Sequence, residues 1–340
     1  MEREGEPMTV TEIAKRAGVS KACVSRYFNH GYVSEEKKEK IRKVVAETGY
    51  VPNRSSQAIV QAKKKTIGVI LPKIHSESIS RIVAGISQVL NREGYRMLLA
   101  NTENSIEKEI LYLRSFLQDD LEGIIFIATI FTKAHDELLS QLEVPIVILG
   151  QRAEAYSCVF HDDYGAAMDM TTRMLDSGCR KVGGIFVTQE DKAAGAERRR
   201  GFDDALRKHG LEPEPDRLVL SEFTLETGYD AAQRLMEQAP DTDGIFCATD
   251  TIAIGAMQYL KGIGKCIPKD VAITGIGHSR MTEIIEPHLT TAHLFYKSTG
   301  VEGADMLIKM IQTGIDMKKK LKMGFDVVDQ ETVRPVEKEG

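Results

Sequence analysis

No run of this chain approaches the roughly 18 consecutive apolar residues of a membrane-spanning helix. A transmembrane protein is therefore excluded. The opening stretch, Met1-Glu-Arg-Glu-Gly-Glu-Pro7, is acidic and has no apolar core, so it does not read as a secretory signal. Cysteine is sparse: Cys23, Cys158, Cys179, Cys247 and Cys266 are odd in number, widely spread and form no C-x-x-C pair. That excludes a disulfide framework or a structural zinc site and fits the cytoplasm. The spacings of common catalytic motifs, G-x-S-x-G, H-E-x-x-H and the phosphate-binding P-loop, do not occur. Gly275-x-Gly277 is only a fragment of a dinucleotide motif and lies late in the chain. His161, Asp162, Asp163, His278 and Ser279 have no spacing that makes them an acid–base or nucleophile set. No enzyme, cofactor or metal site is expected. The tail, residues 331–340, has no leucine heptad, so no tetramerising coil is expected.

What is present is unevenly spread. The 340 residues carry a net charge of −5, with 42% hydrophobic and 28% charged side chains, the balance of a globular protein with more than one domain. Residues 8–65 hold 13 Lys and Arg against 5 Glu, while residues 66–340 hold 31 against 42 acidic residues. A small basic head on a large acidic body directs any polyanion to the head. A solvated helical surface is the plainer alternative.

The body alternates short apolar runs with amphipathic stretches. The runs are Thr66–Leu71, Arg96–Ala100, Gly123–Ala128, Pro145–Leu149, Cys158–Phe160, Lys181–Val187, Leu218–Leu220, Gly244–Ala248, Val271–Gly275 and Thr291–Phe295. Strand and helix in alternation predict doubly wound parallel sheets. Ten strands are too many for one small sheet, so two subdomains are expected, the first run ending near His161 and the second starting near Lys181.

In the head, Ile13, Ala14 and Ala17 make one apolar face. Gly18 can end that helix with positive φ, and Ser20 is a good N-cap for the next. The second helix presents Lys21, Ala22, Ser25, Arg26 and Asn29, polar groups of the kind that reach base edges and phosphates in a major groove. A third helix, residues 35–48, turns Ile41, Val44 and Val45 inward. A generic three-helix module is the bland alternative. The A-x-x-x-G-V-S spacing followed by V-S-R speaks against it.

Residues 11–27, with Val33-Ser34, Lys40-Ile41, Gly49-Tyr50-Val51-Pro52-Asn53-Arg54 and Gln57, resemble the head of the lactose-repressor (LacI/GalR) family of bacterial transcription regulators. The resemblance runs on through Gly68-Val69-Ile70, Arg198-Arg-Arg-Gly-Phe202, Ala248-Thr-Asp250, Ile267-Pro-Lys-Asp270 and Pro287-His-Leu-Thr-Thr291. It implies an all-α helix-turn-helix head followed by an α/β core of two doubly wound parallel-sheet subdomains of periplasmic-binding-protein type. It places a disordered lead-in at residues 1–7, the DNA-binding domain at 8–52, and a hinge helix and linker at 53–65. The core covers 66–330. Its first subdomain spans about 66–163 with 296–325, and its second about 164–295 with 326–330.

The resemblance implies DNA contacts from Thr9, Ser20, Lys21, Ala22, Ser25, Arg26, Asn29, Tyr32, Ser34, Tyr50, Asn53, Gln57 and Ile59. Lys21 and Ala22 set base preference. Ile59 stands where the family wedges an apolar side chain, usually Leu, into the minor groove. It can equally cover the subdomain below.

Paired α/β subdomains bind ligands beyond the carboxyl ends of their strands. That points to Ser78, Gln151, His161, Thr249 and Asp250. The resemblance adds Arg198, whose fork suits paired sugar oxygens, and Phe223, which either stacks on the ligand or packs in the core. Asp250 can also simply cap the following helix. Where many relatives have an Asp that holds sugar hydroxyls, this chain has Gly277. Either His278 or Arg280 compensates, or the ligand differs. With Gly150-Gln151 and residues 161–165, this resembles the sucrose-operon branch.

The implied protein is a dimeric regulator, mostly a repressor, of a sugar-utilisation operon. Its partners are a pseudo-palindromic double-stranded operator and a small sugar or sugar phosphate, with no membrane. A regulator taking a phosphocarrier protein as co-repressor is the first alternative. A sugar-binding transport protein is the second, opposed by the basic head.

Overall fold

The computed structural model describes residues 9–28, 31–48, 50 and 65–335. The chain divides into two compact units, residues 1–63 and 64–340. The hinge, with Asn53, Gln57 and Ile59, lies outside the described residues, as does Asn29.

The first unit contains α1 (Val10–Ala17), α2 (Lys21–Phe28) and α3 (Glu35–Thr48). Thr9 and Glu12 form a capping box at the start of α1, satisfying amides that would otherwise lack partners. Gly18 ends α1 in the left-handed region at φ 62°, which lets the chain turn sharply into α2. Ser20 Oγ accepts from the Cys23 amide at 3.2 Å and starts that helix. Ile13, Ala14, Ala17, Cys23, Val24, Val33, Ile41 and Val44 form the small core.

The second unit holds two six-stranded sheets. In the first, the strands are β1 (Thr66–Leu71), β2 (Arg96–Asn101), β3 (Gly123–Ile127), β4 (Ile146–Leu149), β5 (Ser157–His161) and β11 (Lys320–Met323). Their order is β11-β5-β4-β3-β1-β2, all parallel. The helices are α4 (Glu77–Arg92), α5 (Ile106–Phe116), α6 (Lys133–Leu139) and, from late in the chain, α11 (Tyr296–Thr313), which packs on α4.

The second sheet contains β6 (Val182–Phe186), β7 (Leu218–Leu220), β8 (Gly244–Cys247), β9 (Ala272–Ile276), β10 (Thr291–Leu294) and β12 (Phe325–Val328). Their order is β12-β10-β9-β8-β6-β7, and β12 alone runs antiparallel. Its helices are α7 (Asp163–Asp176), α8 (Arg198–Lys208), α9 (Leu225–Gln238) and α10 (Asp250–Gly262).

The chain passes between the sheets three times, at His161–Asp163, Leu294–Tyr296 and Met323–Phe325. Strands β3, β4, β6, β8 and β9 are buried along their whole length. That is why they read as unbroken apolar runs rather than alternating ones. The ten runs all become strands, and two more are added. Both late strands are edges, and Lys320-Leu-Lys-Met323 is only partly covered.

Candidate functional site

In the head, Lys21, Ala22 and Arg26 lie exposed on α2, with Ser25 half-buried beside them. Arg26 Nε donates to the Ala22 carbonyl at 3.4 Å. Tyr32 is 89% exposed, and Ser34 is exposed at the start of α3. Tyr50 packs its ring 5.8 Å from Phe28. Thr9 and Ser20 serve the helix starts described above. A short helix thus carries Lys21, Ala22 and Arg26 exposed side by side with Ser25, and among the described residues the Arg26 guanidinium meets no carboxylate.

In the core, two cavities open at the carboxyl ends of the parallel strands. The smaller, about 110 Å³, is lined by Ser78 and Arg81 after β1, Phe223 after β7, Thr249 and Asp250 after β8, and Gly277 after β9. The larger, about 520 Å³, is lined by Gln151 after β4, by His161, Asp162 and Asp163 after β5, and by Lys192, Arg200 and Lys322. A ligand site of ordinary size spans about 300–1,000 Å³.

Arg198 lines neither cavity. It is 5% exposed and joins the two walls. Its Nε and terminal nitrogen meet Asp163 Oδ1 at 2.8 and 2.7 Å, and another nitrogen donates to the carbonyl of Ala248, next to Thr249. The helix that carries it begins as a π-helix, Lys192–Glu197, capped by the Asp191 carboxylate. Such wide turns recur at functional sites because they re-aim a side chain.

The two subdomains touch across the cleft. Gln151 Nε2 donates to Asp191 Oδ1 at 2.8 Å. Arg81 donates to the His278 carbonyl at 3.0 Å, and the Arg280 amide donates to Glu77 at 3.2 Å. Burial pushes the carboxyl groups of Asp191 and Asp250 upward, opposed by their hydrogen bonds. Burial also pushes His161 down to about 4, so it is neutral near pH 7. It bonds Thr299 at 2.9 Å and meets Tyr296 edge-on.

Two expectations need correction. Thr249, not Asp250, caps α10, accepting from the Ile252 amide. Asp250 instead accepts from the Ser279 amide at 2.8 Å and the Thr291 hydroxyl at 2.5 Å, tying down the loop after β9. The His278 side chain lines neither cavity. Its φ is 53°, and its ring turns to His293 at 3.0 Å and Glu283 at 3.1 Å. Gly277 explains the departure at that loop. At φ 141° it holds a conformation other residues avoid, and a Cβ there would lie 3.0 Å from Asp250 Oδ2. Asp250 occupies the space.

Sequence reasoning passed over Asp191, Tyr296 and Arg81. Asp191 carried a usable signal, because it follows β6 and precedes a helical stretch.

Residues 9–53 match the family described as "Bacterial regulatory proteins, lacI family". Residues 64–330 match "Periplasmic binding proteins and sugar binding domain of LacI family". The chain belongs to the LacI family. The sucrose operon repressor of Staphylococcus xylosus is 31% identical over 303 residues, covering 89% of this chain and 93% of that protein. The regulator CelR of Thermobifida fusca is 30% identical over 323 residues, covering 92% and 94%. The solved structure of a transcriptional regulator CelR–cellobiose complex superposes with TM-score 0.75 at 26% identity over 96% of this chain and 99% of that one. The lac repressor dimer bound to operator shares the fold, with TM-score 0.78 at 20% identity over 96% and 99%. This LacI-family chain is a DNA-binding transcription regulator, and the relatives it matches are regulators rather than enzymes. No helix among its described residues is long and apolar enough to cross a membrane.

Proposed function

We propose that the protein is a cytoplasmic, homodimeric repressor of a sugar-utilisation operon, and that a sugar held in the core cleft sets its operator affinity. The observation that carries this reading is the buried Arg198 fork between two cavities at the strand ends, with hydrogen bonds crossing from wall to wall. A ligand that replaces those bonds changes the angle between the subdomains. That shifts the population between two states of different DNA affinity. In this reading α2 enters the major groove with Lys21, Ala22, Ser25 and Arg26, while Thr9, Ser20, Tyr32, Ser34 and Tyr50 hold the backbone. Asn29, Asn53, Gln57 and Ile59 complete the contacts from outside the described residues. Ser78, Gln151, His161, Phe223, Thr249 and Asp250 surround the sugar.

Dimerisation is supported by exposed apolar side chains. Leu98 and Leu99 stand on edge strand β2 at 41% and 38% exposure, and Met281 and Ile284 are exposed as well. Two heads on one dimer read a pseudo-palindrome and gain specificity that one head lacks. The name of the sucrose operon repressor and the cellobiose of the solved complex support a sugar as the effector class.

The test is a titration of the full-length protein with sucrose, fructose, cellobiose and ribose, followed by thermal shift. A ligand at 100 times its dissociation constant stabilises the native state by about 2.7 kcal/mol. At least one sugar is expected to raise the midpoint, and Arg198→Ala is expected to abolish the response. A wild-type response that survives Arg198→Ala refutes the cleft assignment.

A further inference from the structure

Two of the hydrogen bonds that cross between the subdomains end on one short loop, residues 277–280. Arg81 of α4 donates to the His278 carbonyl at 3.0 Å. The Arg280 amide meets both carboxylate oxygens of Glu77, also on α4, at 3.2 Å. The Ser279 amide between them donates to Asp250. His278 itself sits at φ 53°, a conformation that residues other than glycine keep only where their surroundings fix it.

The imidazole supplies that fixing. His278 Nδ1 lies 3.0 Å from His293 Nδ1 on β10, and the two rings meet edge-on. A hydrogen bond between two ring nitrogens holds one proton, since one nitrogen donates and the other accepts. Two neutral imidazoles satisfy it. So does a pair that has taken up one extra proton, because that hydrogen sits on a nitrogen outside the contact. A second extra proton has only the contact left to occupy. It puts hydrogen on both Nδ1 atoms and a positive charge on both rings, and the contact breaks.

The groups facing the pair bear on when this happens. Burial holds the half-buried His293 below the ordinary histidine value, aided by His278 and Arg81 and opposed by Asp326, its cross-strand neighbour on β12. Glu283, in the turn Arg280–Glu283, accepts from His278 Nε2 at 3.1 Å but is largely exposed and screened. Asp250 and Glu77 are engaged by the amides of the loop.

We propose that the His278–His293 pair is a proton-sensitive latch on the cleft: when both rings are charged, the loop at residues 277–280 is released and the subdomains lose two of the bonds that join them. The latch acts whatever ligand the cleft holds.

The experiment is hydrogen exchange of the full-length protein at pH 7, 6 and 5, read by mass spectrometry on overlapping peptides that isolate the Arg280 amide and corrected for the intrinsic pH dependence of exchange. The open latch binds a proton that the closed latch excludes, so protection of this amide is expected to fall about tenfold or more between pH 7 and pH 5. In His293→Gln, whose amide offers His278 a donor or an acceptor in either charge state, protection is expected to change less than about threefold over the same range. His278→Asn, which accepts a positive φ and does not titrate, is expected to show the same indifference. His161 is untouched in both variants, so its own titration cancels in the comparison. Wild-type protection that is flat from pH 7 to pH 5 overturns the proposal. A fall as large as that of wild type in either variant, with native circular dichroism, overturns it as well.

Discussion

Acid is expected to weaken the core through His161. In the unfolded chain this imidazole titrates near 6.5, while burial in the folded core lowers it to about 4. As pH falls below 6.5, the unfolded chain takes up a proton and the folded chain does not. Stability therefore drops until the folded ring also titrates, near pH 4. The expected loss relative to pH 7 is about 2 kcal/mol by pH 5 and about 3 kcal/mol by pH 4. Asp191 and Asp250 act in the opposite sense. Their folded values are raised, so the folded state takes up protons first as pH falls and is stabilised toward acid. The difference between wild type and His161→Gln isolates the histidine, since glutamine can still bond Thr299 but does not titrate. The assay is urea unfolding by far-ultraviolet circular dichroism at pH 7, 6, 5 and 4, because the chain has no tryptophan to report. The variant is expected to lose about 3 kcal/mol less than wild type between pH 7 and pH 4. Parallel losses in the two proteins refute the reasoning.

Three further outcomes are expected. Arg26→Ala leaves the fold intact, because the side chain is exposed, and weakens operator binding about tenfold with a shallower salt slope, read by fluorescence anisotropy at several salt concentrations. Gly277→Asp costs about 1–3 kcal/mol from backbone strain alone and more from the carboxylate it places beside Asp250. Urea unfolding should show the loss, with part of it recovered by adding Asp250→Asn. His135 accepts from the Thr132 amide on Nδ1, so its Nε2 carries the proton and donates to Glu109 at 2.9 Å in a fully buried pair. Glu109→Ala strands that donor and is expected to cost about 1–3 kcal/mol, measured by the same unfolding assay.

The central strands were legible because burial on both faces demands continuous apolar residues, as in Ile124–Ile127 and Ile146–Leu149. Strands β11 and β12 were not. Lys320-Leu-Lys-Met323 is half lysine, and its place is set by pairing with β5 across more than 150 residues. The head was legible for a different reason. Short helices with a left-handed Gly18 turn and side-chain caps announce themselves locally. In the cleft, the position of Arg198 could be read from its motif. Its engagement by Asp163, 35 residues earlier, is a tertiary fact with no local signal. The turning away of His278 was equally hidden, because it depends on a positive φ and on His293 arriving from β10.

The most direct test joins the two ends of the molecule. Operator sequences would be selected from a random DNA pool with the full-length protein, and the affinity for the selected site measured with and without saturating sugar. The account predicts a pseudo-palindromic site whose dissociation constant changes at least tenfold with sugar in wild type and not in Arg198→Ala. A selected site bound equally well with and without every sugar that stabilises the core would contradict it.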